Sequence, residues 1–442
     1  MACKVMTLGG GAREHAIAEA LVRSGAKHYS IMSNNNPGIA RLSKCVKHIK
    51  ENNVTEVADA ACQFGVELAV IGPEAPLGYG VVDELENRGI LCASPNRAAS
   101  MLEISKSFAR DLMAKHEIPG RVAYRTFDSL DGLDDFLKKM NGEVAVKPVG
   151  LTGGKGVKIS GEHLKDDDEI RSYCKEILEK SIGGSGFVIE EKLVGEEFTL
   201  QAFSDGENVY PLPAVQDHKR AYEGDTGPNT GGMGSYSQAD HLLPFLTNEE
   251  YLRSVDIVKS TVEAMRKEGC PYKGVIYGQF MLTRSGPKVV EFNARFGDPE
   301  AMNVLPLLDG NYVEICTGIA RGKVPANEVK FKDLATVCKY VVPKGYGVKS
   351  IANEPLHVDE EAISKTGAKI YYAAVDKRDD GLYTTTSRSL GVVGMANTIE
   401  EAERRAEMAL EYVKGTIFMR HDIGKRASIE RKVAHMERVR RG

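Results

Sequence analysis

The stretch Val289-Val290-Glu291-Phe292-Asn293-Ala294-Arg295-Phe296-Gly297-Asp298-Pro299-Glu300 begins as an apolar run and then sets acidic, amide and basic residues at alternate positions. Strand side chains alternate between two faces, so Glu291, Asn293 and Arg295 share one. A solvated sheet face would explain Glu-x-Asn alone, but not the added Arg-x-Gly-Asp-Pro-Glu. Glu291 and Asn293 offer the hard oxygens that Mg²⁺ takes, and Arg295 can grip a carboxylate or phosphate. Just upstream, Val275 to Leu282 and Lys288 to Phe292 predict a hairpin turning at Arg284-Ser285-Gly286-Pro287.

A second segment, Ala145-Val146-Lys147-Pro148-Val149-Gly150-Leu151-Thr152-Gly153-Gly154-Lys155-Gly156-Val157, places a lysine at a strand end before a glycine-rich turn. Glycine frees backbone N–H groups to wrap phosphate oxygens, and Lys147 and Lys155 add charge. The spacing is one residue short of a Walker A loop, and Gly156 stands where Ser or Thr is required. A turn between strands is closer to a phosphate-covering lid. A flexible hairpin would explain the glycines but not the two lysines. Further on, Phe187 to Glu191 and Phe198 to Phe203 flank an acidic turn, Glu190-Glu191-Lys192-Leu193-Val194-Gly195-Glu196-Glu197. Alone it reads as a solvated connection. Beside a nucleotide, its backbone could hold a base and a carboxylate the ribose.

Residues 1 to about 95 alternate strands and helices, which predicts a parallel sheet with crossover helices. The first strand runs into Gly9-Gly10-Gly11-Ala12-Arg13-Glu14 and a helix over 12–23. A dinucleotide fingerprint wants glycine at Glu14 and an acid near Asn34, so NAD binding is disfavoured. A phosphate at the helix N-terminus still fits. Residues 96–116 read as one long helix, and 217–236 as a polar, glycine-rich loop without periodicity. The last third predicts a small α+β unit with strands at 335–342, 369–375 and 390–395 and a helix at 399–413. The tail from Lys425 is basic and helix-compatible, and reads as a solvated helix rather than a binding arm.

With 442 residues the chain has length for more than one domain. A formal net charge of −4 gives no electrostatic reason to expect nucleic acid. No apolar run is long enough to span a bilayer, and Met-Ala-Cys-Lys-Val does not read as a signal peptide. The eight cysteines are scattered without a CxxC pair, which predicts free thiols in a reducing cytoplasm rather than a zinc site.

Taken together, these segments resemble the ATP-grasp ligases, and within them the phosphoribosylamine–glycine ligase family. The supporting motifs are GGGAREHA (9–16), NPG (36–38), IGPEAPL (71–77), SKSFA (105–109), VKPVGLTGGKGV (146–157), EEKLVGEEFT (190–199), QDHKRAYEGDTGPNTGGMGSY (216–236), EFNARFGDPE (291–300) and RHDIG (420–424). Two departures are Thr386-Ser387-Arg388 before the last domain's LGV strand and Pro299-Glu300-Ala301-Met302 in place of a PExQ ending.

The resemblance implies a multidomain α/β and α+β fold: an N-terminal Rossmann-like parallel domain over 1–105, an ATP-grasp domain over 106–327 with a nucleotide lid at about 120–200, and a C-terminal α+β domain over 328–442. It implies ATP-dependent joining of glycine to 5-phosphoribosylamine through glycyl phosphate, with Mg²⁺ or Mn²⁺, in a cytoplasmic monomer or dimer. Lys106, Lys147 and the Gly153, Gly154, Lys155, Gly156 turn would hold the ATP phosphates. The backbone from Glu190 and Glu191 to Leu193 would hold adenine, and Glu197 the ribose. Gln279 would join Glu291 and Asn293 at the metal, and Arg295 would hold glycine or stabilise the acyl phosphate. Gly10, Gly11, Arg13, Glu14, Asn36, Pro37, Gly38, Asp217 and Lys219 would hold phosphoribosylamine. The competing expectations are another ATP-grasp ligase, a biotin carboxylase, or a nucleotide-binding scaffold without turnover.

Overall fold

The computed structural model describes residues 2–152 and 156–442. The expected phosphate contacts Gly153, Gly154 and Lys155 therefore lie outside the described residues. At the N-terminus, five parallel strands stand in the order Cys45–His48, Lys27–Met32, Lys4–Leu8, Leu68–Ile71, Leu91–Cys92. The middle strands are nearly all apolar and buried, as a parallel sheet covered by helices requires. Glycine at position 72 has a packing cause: a Cβ there would lie 2.0 Å from Oε1 of buried Glu14.

The expected helix over 96–116 is two helices, Arg97–Ile104 and Lys106–Lys115. Ser105 breaks it, because its Oγ accepts the N–H of Phe108 and caps the second helix. Lys106 is thereby placed in a helix's first turn, facing the start of the glycine-rich segment.

Two antiparallel four-stranded sheets follow. The lid sheet has the order Tyr124–Phe127, Phe187–Glu191, Val144–Pro148, Lys158–Ile159. Its hydrophobic core, including Phe127, Phe136, Ile177 and Phe187, is its own cluster. The central sheet has the order Val209–Pro211, Glu196–Asp205, Lys273–Thr283, Gly286–Asn293. The predicted hairpin is present, with Thr283 opposite Gly286.

The segment over 217–236 is not a structureless loop. Arg220–Tyr222 pairs with Thr226–Asn229, and Gln216–Asp217 with Gly234–Ser237. Gly234–Ser237 then pairs with Ala335–Pro343, so the C-terminal sheet runs through this segment. Its glycines hid the strands from a periodicity reading, yet Gly234 is needed for strand approach: a Cβ there would meet the Cys338 carbonyl oxygen at 2.3 Å.

The basic tail also departs from expectation. Arg426–Arg441 is helical, but it is docked rather than solvated all round. Met436 is fully buried, and Ile429, Val433 and Val439 pack against the core shared by the N-terminal and central regions. Three to four residues separate these positions, so they form one face. The density of charge obscured this stripe.

Candidate active site

On the central sheet Gln279 stands directly opposite Glu291, and Asn293 follows on the same face. A β-bulge falls between Gln279 and Phe280, because Phe280 pairs with Val289 and skips Val290. The extra residue presents its carbonyl outside the ladder, where both Arg110 (2.7 Å) and Lys147 (2.9 Å) donate to it. Gln279 Nε2 donates to Glu197, while its buried Oε1 has no hydrogen-bond partner among the described residues. Burial alone would raise the Glu291 carboxyl, but Lys219, Lys147, Lys106 and Arg295 outweigh it and hold the group below its ordinary value. An orphaned amide oxygen, an ionised carboxylate and the Asn293 carbonyl are a donor set that fits a hard divalent cation. No cluster of three His, Cys, Asp or Glu side chains competes as a metal site among the described residues.

The lid wall faces this set with its charges already paired. Glu190 is buried between Lys147 (2.7 Å) and Arg110, which binds both carboxylate oxygens at 2.6 and 2.9 Å. Burial raises the Glu190 carboxyl, but the two cations prevail and hold it at about 2. Lys106 Nζ donates to the Gly150 carbonyl at 2.8 Å, and burial lowers its pKa. In the expected base-binding stretch at 190–193 part of the backbone is already bonded. Glu190 sits mid-ladder between two strands, and the N–H groups of Glu191 and Lys192 donate to Ala123 and Glu143. Glu191 also accepts the N–H of Ala123 through its side chain. These bonds use the N–H groups of Glu191 and Lys192; no donor to the carbonyls of Glu191 and Lys192 is found among the described residues, and Leu193 lies past the strand end.

Arg295 lies just beyond the strand that ends at Asn293 and donates to Asn293 Oδ1 at 3.1 Å. Two acids from the N-terminal region hold it: Glu103 at 2.9 Å and Glu74 at 3.5 Å. Its Nε is buried, makes no hydrogen bond among the described residues, and is the atom that faces Glu74. Burial pushes Glu103 up to about 7, although Arg295 pulls the other way. Glu103 also accepts the N–H of Ala294 at 2.6 Å.

Lys219 reaches Glu197 at 3.5 Å, so the expected ribose carboxylate, metal amide and substrate lysine meet in one chain of contacts. Asp217 is raised well above its ordinary value by burial and by Glu300, against Lys219 and Arg388, and its Oδ1 is unpartnered among the described residues.

The N-terminal turn is reached from the same side, since Arg13 donates to the Phe296 carbonyl at 3.2 Å. Glu14 accepts from the Gly11 N–H (2.7 Å) and from Arg13 (2.7 Å), so the carboxylate itself caps this helix. Asn36 is fully buried and its amide is used within the protein: it caps the helix Pro37–Leu42 through Gly38 and Ile39 and donates to Gly10 and Tyr372. Gly38 packs on the His15 ring, which a Cβ would meet at 2.0 Å. Asn36, Pro37 and Gly38 thus support the turn rather than offer free donors.

Several residues escaped the sequence reading. Arg110 is four residues after Lys106, hence on the same helix face, and that spacing could have flagged it. Glu74 lies within the IGPEAPL motif but was given no role there, and Glu103 carried no local signal. Arg388, within the departing Thr-Ser-Arg segment, pairs with Asp298 at 3.0 Å and donates to the carbonyls of Gly231 and Gly232. In the other departure Met302 is buried in the core, while Glu300 accepts from Tyr277 at 2.9 Å.

Comparison with known proteins finds full-length relatives. The N, ATP-grasp (A) and C domain models of phosphoribosylglycinamide synthetase match residues 3–103, 104–301 and 336–426. A phosphoribosylamine–glycine ligase of Methanothermobacter thermautotrophicus is 51% identical over 438 residues, covering 99% of this chain and all of the relative. The crystal structure of the Thermotoga maritima phosphoribosylamine–glycine ligase superposes with a TM-score of 0.80 at 28% identity, covering 95% of this chain and 99% of that one. The biotin carboxylase domain of Hydrogenobacter thermophilus 2-oxoglutarate carboxylase, at 16% identity and a TM-score of 0.71, covers 98% of this chain and 93% of that one, and shares the fold alone. On the full-length identity and the three matching domain models, the chain belongs to the phosphoribosylamine–glycine ligase family of ATP-grasp enzymes.

Proposed function

We infer that this chain joins glycine to 5-phosphoribosylamine with ATP, giving glycinamide ribonucleotide, ADP and phosphate, the second step of de novo purine synthesis. The observation that carries this reading is the full-length relation to ligases of that name, with the cleft residues facing one another across two sheets.

In this reading the glycine carboxylate attacks the γ-phosphorus of ATP and ADP departs. The amine of phosphoribosylamine then attacks the glycyl phosphate carbonyl and phosphate leaves. Such a reaction needs alignment and charge neutralisation rather than a protein nucleophile. Lys147 and Lys106 bind phosphate oxygens. Leu193 and its neighbours hold the base, and Glu197 the ribose. Arg295 orients the glycine carboxylate, braced by Glu103 and Glu74. Lys219 and Asp217, with Gly10, Gly11, Arg13 and Glu14, form the phosphoribosylamine side. A divalent cation, Mg²⁺ or Mn²⁺, held by Gln279, Glu291 and Asn293 would supply charge neutralisation on the transferring phosphates.

We place the enzyme in the cytoplasm as a monomer or dimer. No described helix is long and apolar enough to cross a membrane. The test is product mass after incubation with ATP, Mg²⁺, glycine and freshly made phosphoribosylamine. Glycinamide ribonucleotide is expected. Phosphate release with bicarbonate and none with glycine would instead indicate a carboxylase-type reaction.

A further inference from the structure

The C-terminal helix Arg426–Arg441 begins at the last residue of the C-domain match, yet it reaches the nucleotide side of the molecule. Lys432 Nζ lies 3.3 Å from Glu196 and 3.3 Å from Asp225. His435 Nδ1 adds a contact to Glu196 at 2.6 Å. Glu196 is the immediate neighbour of Glu197, which contacts both Gln279 and Lys219. Asp225 lies at the tip of the hairpin Arg220–Tyr222 and Thr226–Asn229, in the segment that carries Asp217 and Lys219. Arg420, fully buried, holds the same tip through Asp225 at 2.9 Å and the Arg220 carbonyl at 3.0 Å. Farther along, Arg440 pairs with Glu250 at 2.8 Å and buried Met436 anchors the helix, so Lys432 is presented from a fixed support.

We propose that this helix is a positioning element of the active site, with Lys432 tying the central strand at Glu196 to the hairpin tip at Asp225. It thereby sets the distance between the ribose carboxylate Glu197 and the phosphoribosylamine residues Asp217 and Lys219. One end of the tie adjoins Glu197 in sequence and the other closes the hairpin whose base carries Lys219, while Arg295 and its acids Glu74 and Glu103 make no contact with the helix among the described interactions. The tie therefore acts on ATP and phosphoribosylamine and leaves glycine alone. It rests on the roles given above to Glu197 and Lys219.

The experiment is steady-state kinetics of the full chain, one substrate varied at a time, for Lys432→Met, Lys432→Arg and Asp225→Asn. Lys432→Met should raise KM for ATP and for phosphoribosylamine about fivefold each, the size expected when one charge contact is lost and the groups it aligns keep their other supports. KM for glycine should stay within about twofold, and Lys432→Arg should restore most of the loss by keeping the charge. Asp225→Asn, which also weakens the Arg420 contact, should raise the same two KM values, and the double variant Lys432→Met/Asp225→Asn should fall well short of the product of the two single effects. Thermal melting would show whether Lys432→Met remains folded; if it does not, the Asp225→Asn and Lys432→Arg pair decides. Equal weakening of all three substrates, unchanged KM values, or additive effects would overturn the tie. Glu197→Gln and Lys219→Ala serve as references: normal KM values there would instead remove the roles on which the tie rests.

Discussion

On the lid wall of the cleft, Glu190 lies between Lys147 and Arg110 within hydrogen-bonding distance of both. On the central wall, Glu291 carries its charge with no ion-pair partner within 4 Å among the described residues, and Gln279 Oε1 is buried without a hydrogen bond. Both acids are held below their ordinary values by cations, but one by contact and the other at a distance. Paired charges fix a shape, whereas separated ones leave a field that a ligand must complete. The lid has a hydrophobic core of its own, and the triad with the Val290 carbonyl is part of what fastens it to the central sheet. The lid wall is therefore already organised by its own pairs, whereas the central wall leaves charge for a ligand to complete.

The largest effect should come from the open wall. Glu291→Gln keeps the shape but removes the charge that would hold a metal, and metal stabilisation is worth several kcal/mol, so turnover should fall by about a thousandfold or more. The melting temperature should stay near that of the unchanged chain. Near-normal activity at ordinary Mg²⁺ would take Glu291 out of the metal site and erase the contrast between the walls.

Glu190→Gln should act the other way, mainly on stability. It leaves two buried cations without their acid, a loss of about 3–5 kcal/mol measurable by urea unfolding. The pH dependence has a defined sign. Because Glu190 is depressed to about 2, its contribution is present above its ordinary value near 4.5 and is lost as pH falls toward 2. The variant should lack that acid limb. An unchanged unfolding midpoint would show that the triad does not fasten the lid.

Within the open wall, Arg295 and Lys219 should separate by substrate. Arg295→Lys keeps the charge but loses the bidentate fork, so kcat/KM for glycine should drop by about a hundredfold with a smaller change for phosphoribosylamine. Lys219→Ala should chiefly weaken phosphoribosylamine, whose phosphate needs a cation. Equal loss of both substrates in both variants would end this division of labour.

The smallest effect concerns Glu103, which braces Arg295. Its carboxyl is raised to about 7, so the charged form that pairs with Arg295 is gained as pH climbs through that value. Glycine should therefore bind better above pH 7 than below it, by about tenfold at most for one charged contact. Glu103→Gln should flatten this profile. A profile that persists in the variant would assign the titration to another group.

The contrast between the walls also marks how far local sequence reaches. Alternation of Glu291, Asn293 and Arg295 is a short-range pattern, and the period of a strand suffices to put the first two on one face. The parallel N-terminal sheet was legible in its inner strands, which are short apolar runs between helices, but its edge strand Cys45–His48 is too polar to show as one. The lysine-then-glycine segment after Ala145 carried its chemistry in composition.

Contacts between distant segments were not legible. The bulge at Val290 depends on the register of Lys273–Thr283 against its partner, and no residue type at 290 announces it. The Arg110–Glu190 pair joins residues 80 apart, and Arg295 meets Glu103 across two regions of the chain. The tail shows the limit most plainly: its charges were counted correctly, yet Lys432 faces Glu196 and Asp225 rather than solvent. Sequence by itself determined which groups can hold a metal, a phosphate or a carboxylate, because that is a property of residue type and strand period. Only the tertiary structure decided which of those groups are already satisfied by another side chain, because pairing is a matter of distance in space and the chain brings remote charges together through core packing.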